Sequence, residues 1–135
     1  MPTVFNRPYW ISGFGIPVLL LLGALFSRHT LTIQLYDTYY VVTPVGVVRA
    51  GSLLLLVTSA GYWLVGRGGK MPNGLLSVIH LGLTLGVLIR FAVPFSHDPV
   101  PDGWVLWGTV ALLLGQVLYA INLLVTALGR RHPTS

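Results

Sequence analysis

Residues 103–129 read GWVLWGTVALLLGQVLYAINLLVTALG, an apolar run without Asp, Glu, Lys or Arg. A helix needs about 20 mostly apolar residues to cross a hydrocarbon core about 30 Å thick. Three earlier runs are of comparable size, and Pro- or Gly-rich stretches at 67–74 and 96–103 separate the later ones. The sequence therefore predicts one domain, residues 1–135, with transmembrane helices at about 10–27, 47–66, 73–95 and 103–129.

Composition supports a membrane environment for the whole chain of 135 residues. Charged residues make up 8%, against about 25% in typical soluble domains. Hydrophobic residues reach 54%, and the mean hydropathy is +0.79. A soluble fold this small could not bury so much apolar surface, so the composition excludes a disordered chain, a nucleic-acid binder and a conventional soluble enzyme. We expect an all-α integral membrane protein with the lipid bilayer as its main partner.

The distribution of basic residues predicts an orientation. An even number of spans places the N-terminus, the second loop and the C-terminus on one side of the membrane. That side holds five basic residues and the other side two, with all three acids. Because cytoplasmic loops are enriched in Lys and Arg, we expect both termini in the cytoplasm, with a bacterial inner (plasma) membrane as the location. The five are Arg7, Arg67, Lys70, Arg130 and Arg131, and the two are Arg28 and Arg49.

Aromatic residues near the predicted span ends fit the same topology. Trp and Tyr are enriched at membrane–water interfaces, where their amphipathic rings lie at headgroup level. The sequence therefore predicts interfacial anchors at three places, namely Tyr9 with Trp10, Tyr62 with Trp63, and Trp104 with Trp107.

Between the first two spans, residues 31–44 read LTIQLYDTYYVVTP. Leu31, Ile33 and Leu35 alternate with polar or aromatic residues, a period of two that is typical of extended backbone with one apolar face. Extended backbone cannot face lipid, because its polar groups would be left without partners. We predict an extended loop between helices 1 and 2, lying over the outer end of the bundle.

Within this loop, residues 35–42 read LYDTYYVV and resemble a signature of subunit I of the haem–copper cytochrome c oxidases. In that family the stretch reads L-H-D-T-Y-Y-V-V, lies at the start of helix X, and is followed by two haem-ligating histidines. Seven of the eight residues match, including Tyr39 and Tyr40. The resemblance implies a small protein that carries an oxidase-like element on its outer face.

The same resemblance also limits what chemistry can be carried over. Asp37 corresponds to the acidic ligand of a magnesium site and is a candidate metal ligand, but its histidine partner is replaced by Tyr36. The haem-ligand positions fall on Pro44 and Gly46, neither of which can ligate iron. We therefore expect no haem and no other cofactor. The alternative interpretation is an amphipathic loop in which Asp37 caps a turn or pairs with a nearby arginine.

Arg90 lies about five residues before the outer end of the third predicted span. An ionised group at that depth is costly unless it reaches the interface or finds a partner. One interpretation is that its side chain extends to the interface beside Phe91 and Phe95. The other is an ion pair with Asp37 or Asp98 that clamps the extended loop onto the helices.

His80 lies in the same span, nearer the cytoplasmic end. At about 100° per residue it shares a helix face with Ser77 and Thr84. The other histidines, His29, His97 and His132, fall in loops or the tail, so two intramembrane histidines cannot ligate a haem. We predict a hydrogen-bonded packing histidine rather than a cofactor ligand.

Two groups of small residues predict helix–helix contact. Gly82 and Gly86 form a G-x-x-x-G pattern on the far side of the third span from His80. On the fourth span a stripe of small and polar residues covers almost five turns, which favours a packing face against the third helix. The stripe consists of Gly108, Ala111, Gly115, Tyr119, Asn122 and Thr126. The sequence leaves open whether these contacts lie within the chain or with another subunit.

Catalytic motifs are missing from the sequence, which has no glutamate, no cysteine and no nucleophile or metalloprotease signature. We expect no enzymatic activity. One further metal hypothesis remains: Asp37, His97, Asp98 and Asp102 could gather on the outer side and bind a divalent cation through oxygen ligands.

Two functions are consistent with these features. The first is a small accessory or interaction element near a respiratory terminal oxidase, in contact with other membrane subunits or with itself. The second is a small oligomeric transporter or channel-like bundle that uses Arg90, His80 and Asn122 along a path. Convergence of those three residues in one cavity would favour the second function.

Overall fold

The computed structural model describes residues 7–93 and 102–129, which form four helices and one hairpin. In chain order the elements are α1 (Pro8–Leu25), β1 (Leu31–Leu35), β2 (Thr38–Val42), α2 (Pro44–Arg67), α3 (Gly74–Ala92) and α4 (Asp102–Leu128). Each helix is long and apolar enough to cross a membrane. The predicted all-α membrane fold with four transmembrane helices is confirmed, and the chain is an integral membrane protein.

Local capping sets where two of the helices begin. The Thr43 hydroxyl accepts a hydrogen bond from the Gly46 backbone N–H (3.3 Å), and Pro44 occupies the first helical position, where its missing N–H costs nothing. As a result α2 begins at Pro44, three residues before the expected start at residue 47. At α3 the Asn73 side chain accepts from the backbone N–H of Leu75 (3.0 Å) and Leu76 (3.3 Å).

The predicted extended loop is an antiparallel β-hairpin in which Leu35 pairs with Thr38. Tyr36 and Asp37 form the two-residue turn, and Tyr36 has a positive φ of 54°. A positive φ at the first turn residue matches the right-handed twist of hairpin strands. Leu31 and Ile33 are buried where β1 contacts α4, so the predicted apolar face is the one that packs on the bundle.

The helices pack mainly as two pairs, α1 with α2 and α3 with α4. Gly51 of α2 allows the pairs to meet closely, because a Cβ there would lie 2.8 Å from a methyl carbon of Leu88. Small residues bring transmembrane helices together in this way. The apolar core consists of Leu19, Val48, Leu55, Leu88 and Ala92.

The two ends of the bundle differ in character. The hairpin end holds β1, β2 and the start of α4, and the opposite end holds the start of α1 and residues 67–73 between α2 and α3. Between the ends, large apolar side chains of α1, α2 and α4 are exposed, which suits a lipid environment rather than water. Leu21, Leu53 and Leu113 are examples.

Candidate functional site

A buried group of polar side chains connects α2, α3 and α4 in the half of the bundle nearer the opposite end. We call it the polar layer, and it consists of Tyr62, Ser77, His80, Tyr119 and Asn122. Tyr62, His80 and Asn122 are all 0% exposed. Lipid solvates the apolar faces of α2, α3 and α4 equally well. These polar contacts therefore help to determine which helix faces pack against each other.

His80 is the centre of this layer. Its Nδ1 lies 3.0 Å from the Tyr62 hydroxyl, a hydrogen bond between α3 and α2. The Tyr119 ring lies 5.0 Å from the imidazole and, edge-on, 5.0 Å from the Tyr62 ring. The predicted hydrogen-bonded histidine on a face shared with Ser77 and Thr84 agrees with this geometry, because all three are buried. The His80 Nε2 is also buried and has no hydrogen-bond partner among the described residues.

Tyr119 reaches α2 as well as α3. Its hydroxyl donates to the Thr58 carbonyl oxygen (3.3 Å). The ring passes directly over Gly61, where a Cβ would overlap the Tyr119 hydroxyl and lie 3.0 Å from Cζ. Only a residue without a side chain allows α2 and the tyrosine to approach so closely.

Asn122 ties α4 to the start of α3. Its Oδ1 accepts from the Asn73 backbone N–H (2.8 Å), and its Nδ2 donates to the Asn73 carbonyl oxygen (3.1 Å) and to the Ser77 hydroxyl (2.9 Å). The Asn122 side-chain amide thus pairs with the backbone N–H and C=O of Asn73, the residue that caps α3. The pairing supplies an acceptor for the Asn73 N–H, whereas the Asn73 carbonyl oxygen also accepts from the Ser77 N–H and hydroxyl.

Further hydrogen bonds join α1 to α2. The Ser12 hydroxyl donates to the Leu55 carbonyl oxygen (2.9 Å) and lies 3.1 Å from the Thr58 hydroxyl. The Ser59 hydroxyl donates to the Tyr9 carbonyl oxygen (3.0 Å). Side-chain hydrogen bonds therefore link α1 with α2, α2 with α3 and α4, and α3 with α4 along the bundle interior, which favours a rigid scaffold.

The predicted packing stripe of α4 faces α3. Gly115 lies against Thr84 and His80, because a Cβ there would be 3.2 Å from the Thr84 hydroxyl oxygen and 3.5 Å from the His80 carbonyl oxygen. Gly82 and Gly86 do not take part in this contact. Both are exposed, and a Cβ at either would meet nothing within 4 Å among the described residues. Within the described residues neither glycine packs closely against another helix, and Gly86 borders the groove that separates α3 from Trp107 of α4. Contact of Gly82 and Gly86 with another subunit stays a prediction.

Arg90 lies near the hairpin end, where its guanidinium is 5.3 Å from the centroid of the Trp104 ring. Such a cation–π contact lowers the cost of a charge at this depth. Trp104 and Arg90 border a groove of about 370 Å³ between α3 and α4. Of the two acids proposed as ion-pair partners, Asp37 is exposed in the hairpin turn and Asp98 lies outside the described residues, as does Phe95.

Arg90 does not converge with the polar layer. It lies ten residues beyond His80 on α3, about 15 Å along the helix axis. The groove beside Arg90 is bordered by neither His80 nor Asn122. The cavity that would have favoured a transport path through all three residues is therefore not found in the described part of the chain.

The residues of the oxidase-like motif lie at the surface. Asp37 is in the hairpin turn, and Tyr39 and Tyr40 project from β2, all of them exposed. Within residues 7–93 and 102–129, no three His, Cys, Asp or Glu side chains come together as metal ligands could. His97 and Asp98 of the predicted cation site lie outside those residues.

The sequence did not predict two of the hydrogen-bond partners, Tyr62 in the polar layer and Asn73 beside it. Tyr62 was predicted as an interfacial anchor, but it is fully buried because its hydroxyl meets His80. An asparagine directly before a helical run, such as Asn73, is a recognisable helix cap. Nothing in the sequence indicates that Asn73 is also the hydrogen-bond partner of Asn122.

Comparison with known proteins gives one relevant similarity. The chain is 33% identical over 99 residues to NADH-ubiquinone oxidoreductase chain 6 of Coturnix japonica. The matched region covers 73% of this chain and 53% of the avian protein, so the chain spans about half the length of this relative. No family model and no solved structure matches the chain. It is thus an integral membrane protein of four apolar helices that is similar to one chain of an NADH-ubiquinone oxidoreductase.

Proposed function

We propose that this protein is a membrane-embedded accessory subunit of a respiratory complex and has no catalytic activity of its own. The similarity to chain 6 of an NADH-ubiquinone oxidoreductase is the observation that carries this proposal. The resemblance of residues 35–42 to the oxidase signature supports a more specific proposal, namely that the respiratory complex is a terminal oxidase. Both similarities point to multi-subunit membrane enzymes of electron transfer.

The interior of the bundle supports a structural role. Tyr62, Asn122 and Ser12 bond to groups on neighbouring helices, so the buried polar atoms hold the helices in place. A subunit of this kind stabilises a complex through its outer surface. The described residues present two such surfaces, the exposed face of α3 and the hairpin.

The exposed face of α3 has the features of a helix-docking surface. Gly82 and Gly86 are open along it, and small residues at this spacing allow a second helix to approach closely. At the hairpin end, Tyr39 and Tyr40 present amphipathic rings at the level where a neighbouring subunit or the lipid headgroups would lie.

Affinity purification of the full chain in mild detergent tests the proposal directly. We expect respiratory subunits to co-purify, with haem absorbance if the partner is a terminal oxidase and flavin absorbance if it is an NADH-oxidising complex. Recovery of the bare chain, without subunits of either complex, would contradict the proposal.

A matched pair of variants tests the docking face. Gly82→Leu places a large side chain on the exposed face of α3, and we expect it to reduce the recovered partner subunits several-fold. Gly103→Leu is the control, because Gly103 on α4 is also exposed with nothing within 4 Å among the described residues. Equal recovery with both variants would mean that α3 is not the docking face.

We also propose that both termini lie in the cytoplasm, in the inner membrane of a bacterium. Arg7, Arg67 and Lys70 lie at the opposite end of the bundle, in agreement with the Lys and Arg bias of cytoplasmic loops. Reporter fusions that are active on only one side of the membrane, placed at each terminus, should give the same cytoplasmic result. Reports from different sides would contradict this topology.

The alternative function is a small oligomeric transporter or channel-like bundle. The buried His80 Nε2 without a described partner is the observation that favours it, because an unsatisfied buried polar group needs an explanation. Proteoliposomes loaded with a pH indicator test this alternative. Proton flux that His80→Gln abolishes would support transport, and the absence of flux would support the accessory role.

A further inference from the structure

A basic groove of about 480 Å³ lies at the opposite end of the bundle. It is formed where the start of α1, the end of α2 and the connection to α3 meet. Arg7, Arg67 and Lys70 border it together with Tyr9 and Trp63. Sites for small ligands have volumes of this order and combine a few polar groups with an aromatic wall.

The cationic side chains of the groove retain N–H donors that can bind a further hydrogen-bond acceptor. The Arg67 guanidinium lies 5.2 Å from the Trp63 ring centroid. Contact through its π face leaves the N–H groups at the guanidinium edge, where they can bind an oxyanion in a fork. Lys70 Nζ donates one hydrogen bond to the Ala127 carbonyl oxygen, which uses one of its three N–H donors.

The start of α1 adds positive potential to the same groove. Arg7 is the N-cap residue, and its own side chain does not cap the first turn. Pro8 at the first helical position has no N–H, so Tyr9 carries the first backbone N–H of the helix. The first backbone N–H groups of a helix carry a partial positive charge, which an anion near the helix start would stabilise.

The acidic residues in the described part of the chain lie far from the groove. None of the residues that border it is acidic. Asp37 and the start of α4 at Asp102 are both at the hairpin end, separated from the groove by α2, whose 24 residues span about 36 Å. Three cations that share one groove repel one another, and a bound anion would remove that repulsion.

We propose that the basic groove binds a phosphate group, carried either by the headgroup of an anionic phospholipid or as free phosphate. Its position fits a lipid, because Trp63 and the groove lie at the end of a transmembrane helix, where headgroups are found. Basic pockets between transmembrane helices are a recurring site for anionic headgroups. This site is independent of which complex the protein joins.

Thermal unfolding of the purified, delipidated full chain in a neutral detergent tests the proposal. Three additions are compared, namely phosphatidylglycerol, phosphatidylcholine with the same acyl chains, and inorganic phosphate. We expect phosphatidylglycerol to raise the unfolding midpoint in a saturable way and phosphatidylcholine not to. A saturable rise with inorganic phosphate as well would identify the phosphate group itself as the ligand, and a rise with the lipid alone would identify the headgroup. If neither addition exceeds phosphatidylcholine, the proposal is wrong.

Charge-matched variants locate the site. Arg67→Gln should raise the half-saturating concentration about fivefold, since a Lys or Arg close to an anionic headgroup contributes about 1 kcal/mol to binding. Arg28→Gln, which removes an exposed arginine at the hairpin end, is the control and should change it less than twofold. Arg7→Gln serves as a second test if Arg67→Gln does not fold. Equal effects of the groove and control variants would show that binding depends on net charge alone and would overturn the proposal.

Discussion

Replacing Asn122 with leucine should separate the start of α3 from α4 with little change in side-chain volume. The substitution removes three hydrogen bonds, two to the backbone N–H and C=O of Asn73 and one to the Ser77 hydroxyl. It keeps a fully buried position filled, so a change in stability reports the lost polar contacts rather than a cavity.

The expected loss of unfolding free energy is about 2–3 kcal/mol. Interhelical hydrogen bonds in membranes contribute about 0.6 kcal/mol on average, so three contribute about 2 kcal/mol. The Asn73 backbone N–H also loses the acceptor given by Asn122, which adds up to about 1 kcal/mol because the group is only partly buried.

Unfolding in mixed micelles of a mild detergent and dodecyl sulfate, followed by circular dichroism and tryptophan fluorescence, measures this loss. Ser77→Ala removes one of the three bonds to Asn122 together with the bond from the Ser77 hydroxyl to the Asn73 carbonyl oxygen, and should cost about 1 kcal/mol. Thr109→Val is the control, because the exposed Thr109 hydroxyl bonds only to Val105 of its own helix, and it should cost about zero.

A cost below about 0.5 kcal/mol for Asn122→Leu, or one equal to the Thr109→Val cost, would refute the argument. The Asn122 side-chain amide would then not be hydrogen-bonded to the Asn73 backbone in the membrane. The start of α3 would have to be held by the apolar contacts alone.

Three further substitutions test other contacts, each by the same unfolding measurement. Gly61→Ala should cost about 1–3 kcal/mol, because the new Cβ would displace the Tyr119 ring; an unchanged stability would mean that this close approach does not exist. Tyr62→Phe should cost about 1 kcal/mol and shift the imidazole resonances of His80, since Nδ1 loses its partner; unchanged resonances would contradict the bond. Arg90→Leu should cost about 1 kcal/mol through loss of the cation–π contact, and an unchanged free energy of unfolding would argue against it.

The hydrophobic pattern was sufficient to predict the four helices and the extended backbone between the first two. Four runs long enough to cross a bilayer gave four helices, and alternation at Leu31, Ile33 and Leu35 gave extended backbone. These properties depend on each segment's own contact with lipid or water, so no other part of the chain is needed to derive them. The hairpin pairing was not predicted, because an unusual positive φ at Tyr36 closes the turn.

Helical periodicity also identified which residues of one helix share a face. Ser77, His80 and Thr84 are buried together, and the small residues of α4 that include Gly115 do face α3. Periodicity does not say which face of a neighbour is opposite. Gly82 and Gly86 illustrate this limit. Their spacing favours a helix contact, but a Cβ at either position would meet nothing within 4 Å among the described residues.

The amino-acid sequence by itself determined that lipid is the solvent of this protein, how often the chain crosses it, and which faces of each helix are polar. Only the tertiary structure decided that Tyr62 turns inward to His80, that Asn122 meets Asn73, and that Arg7, Arg67 and Lys70 border one groove. The physical reason is that lipid accepts every apolar helix face equally well. The choice among helix arrangements therefore rests on a few hydrogen bonds and close contacts between residues far apart in the chain.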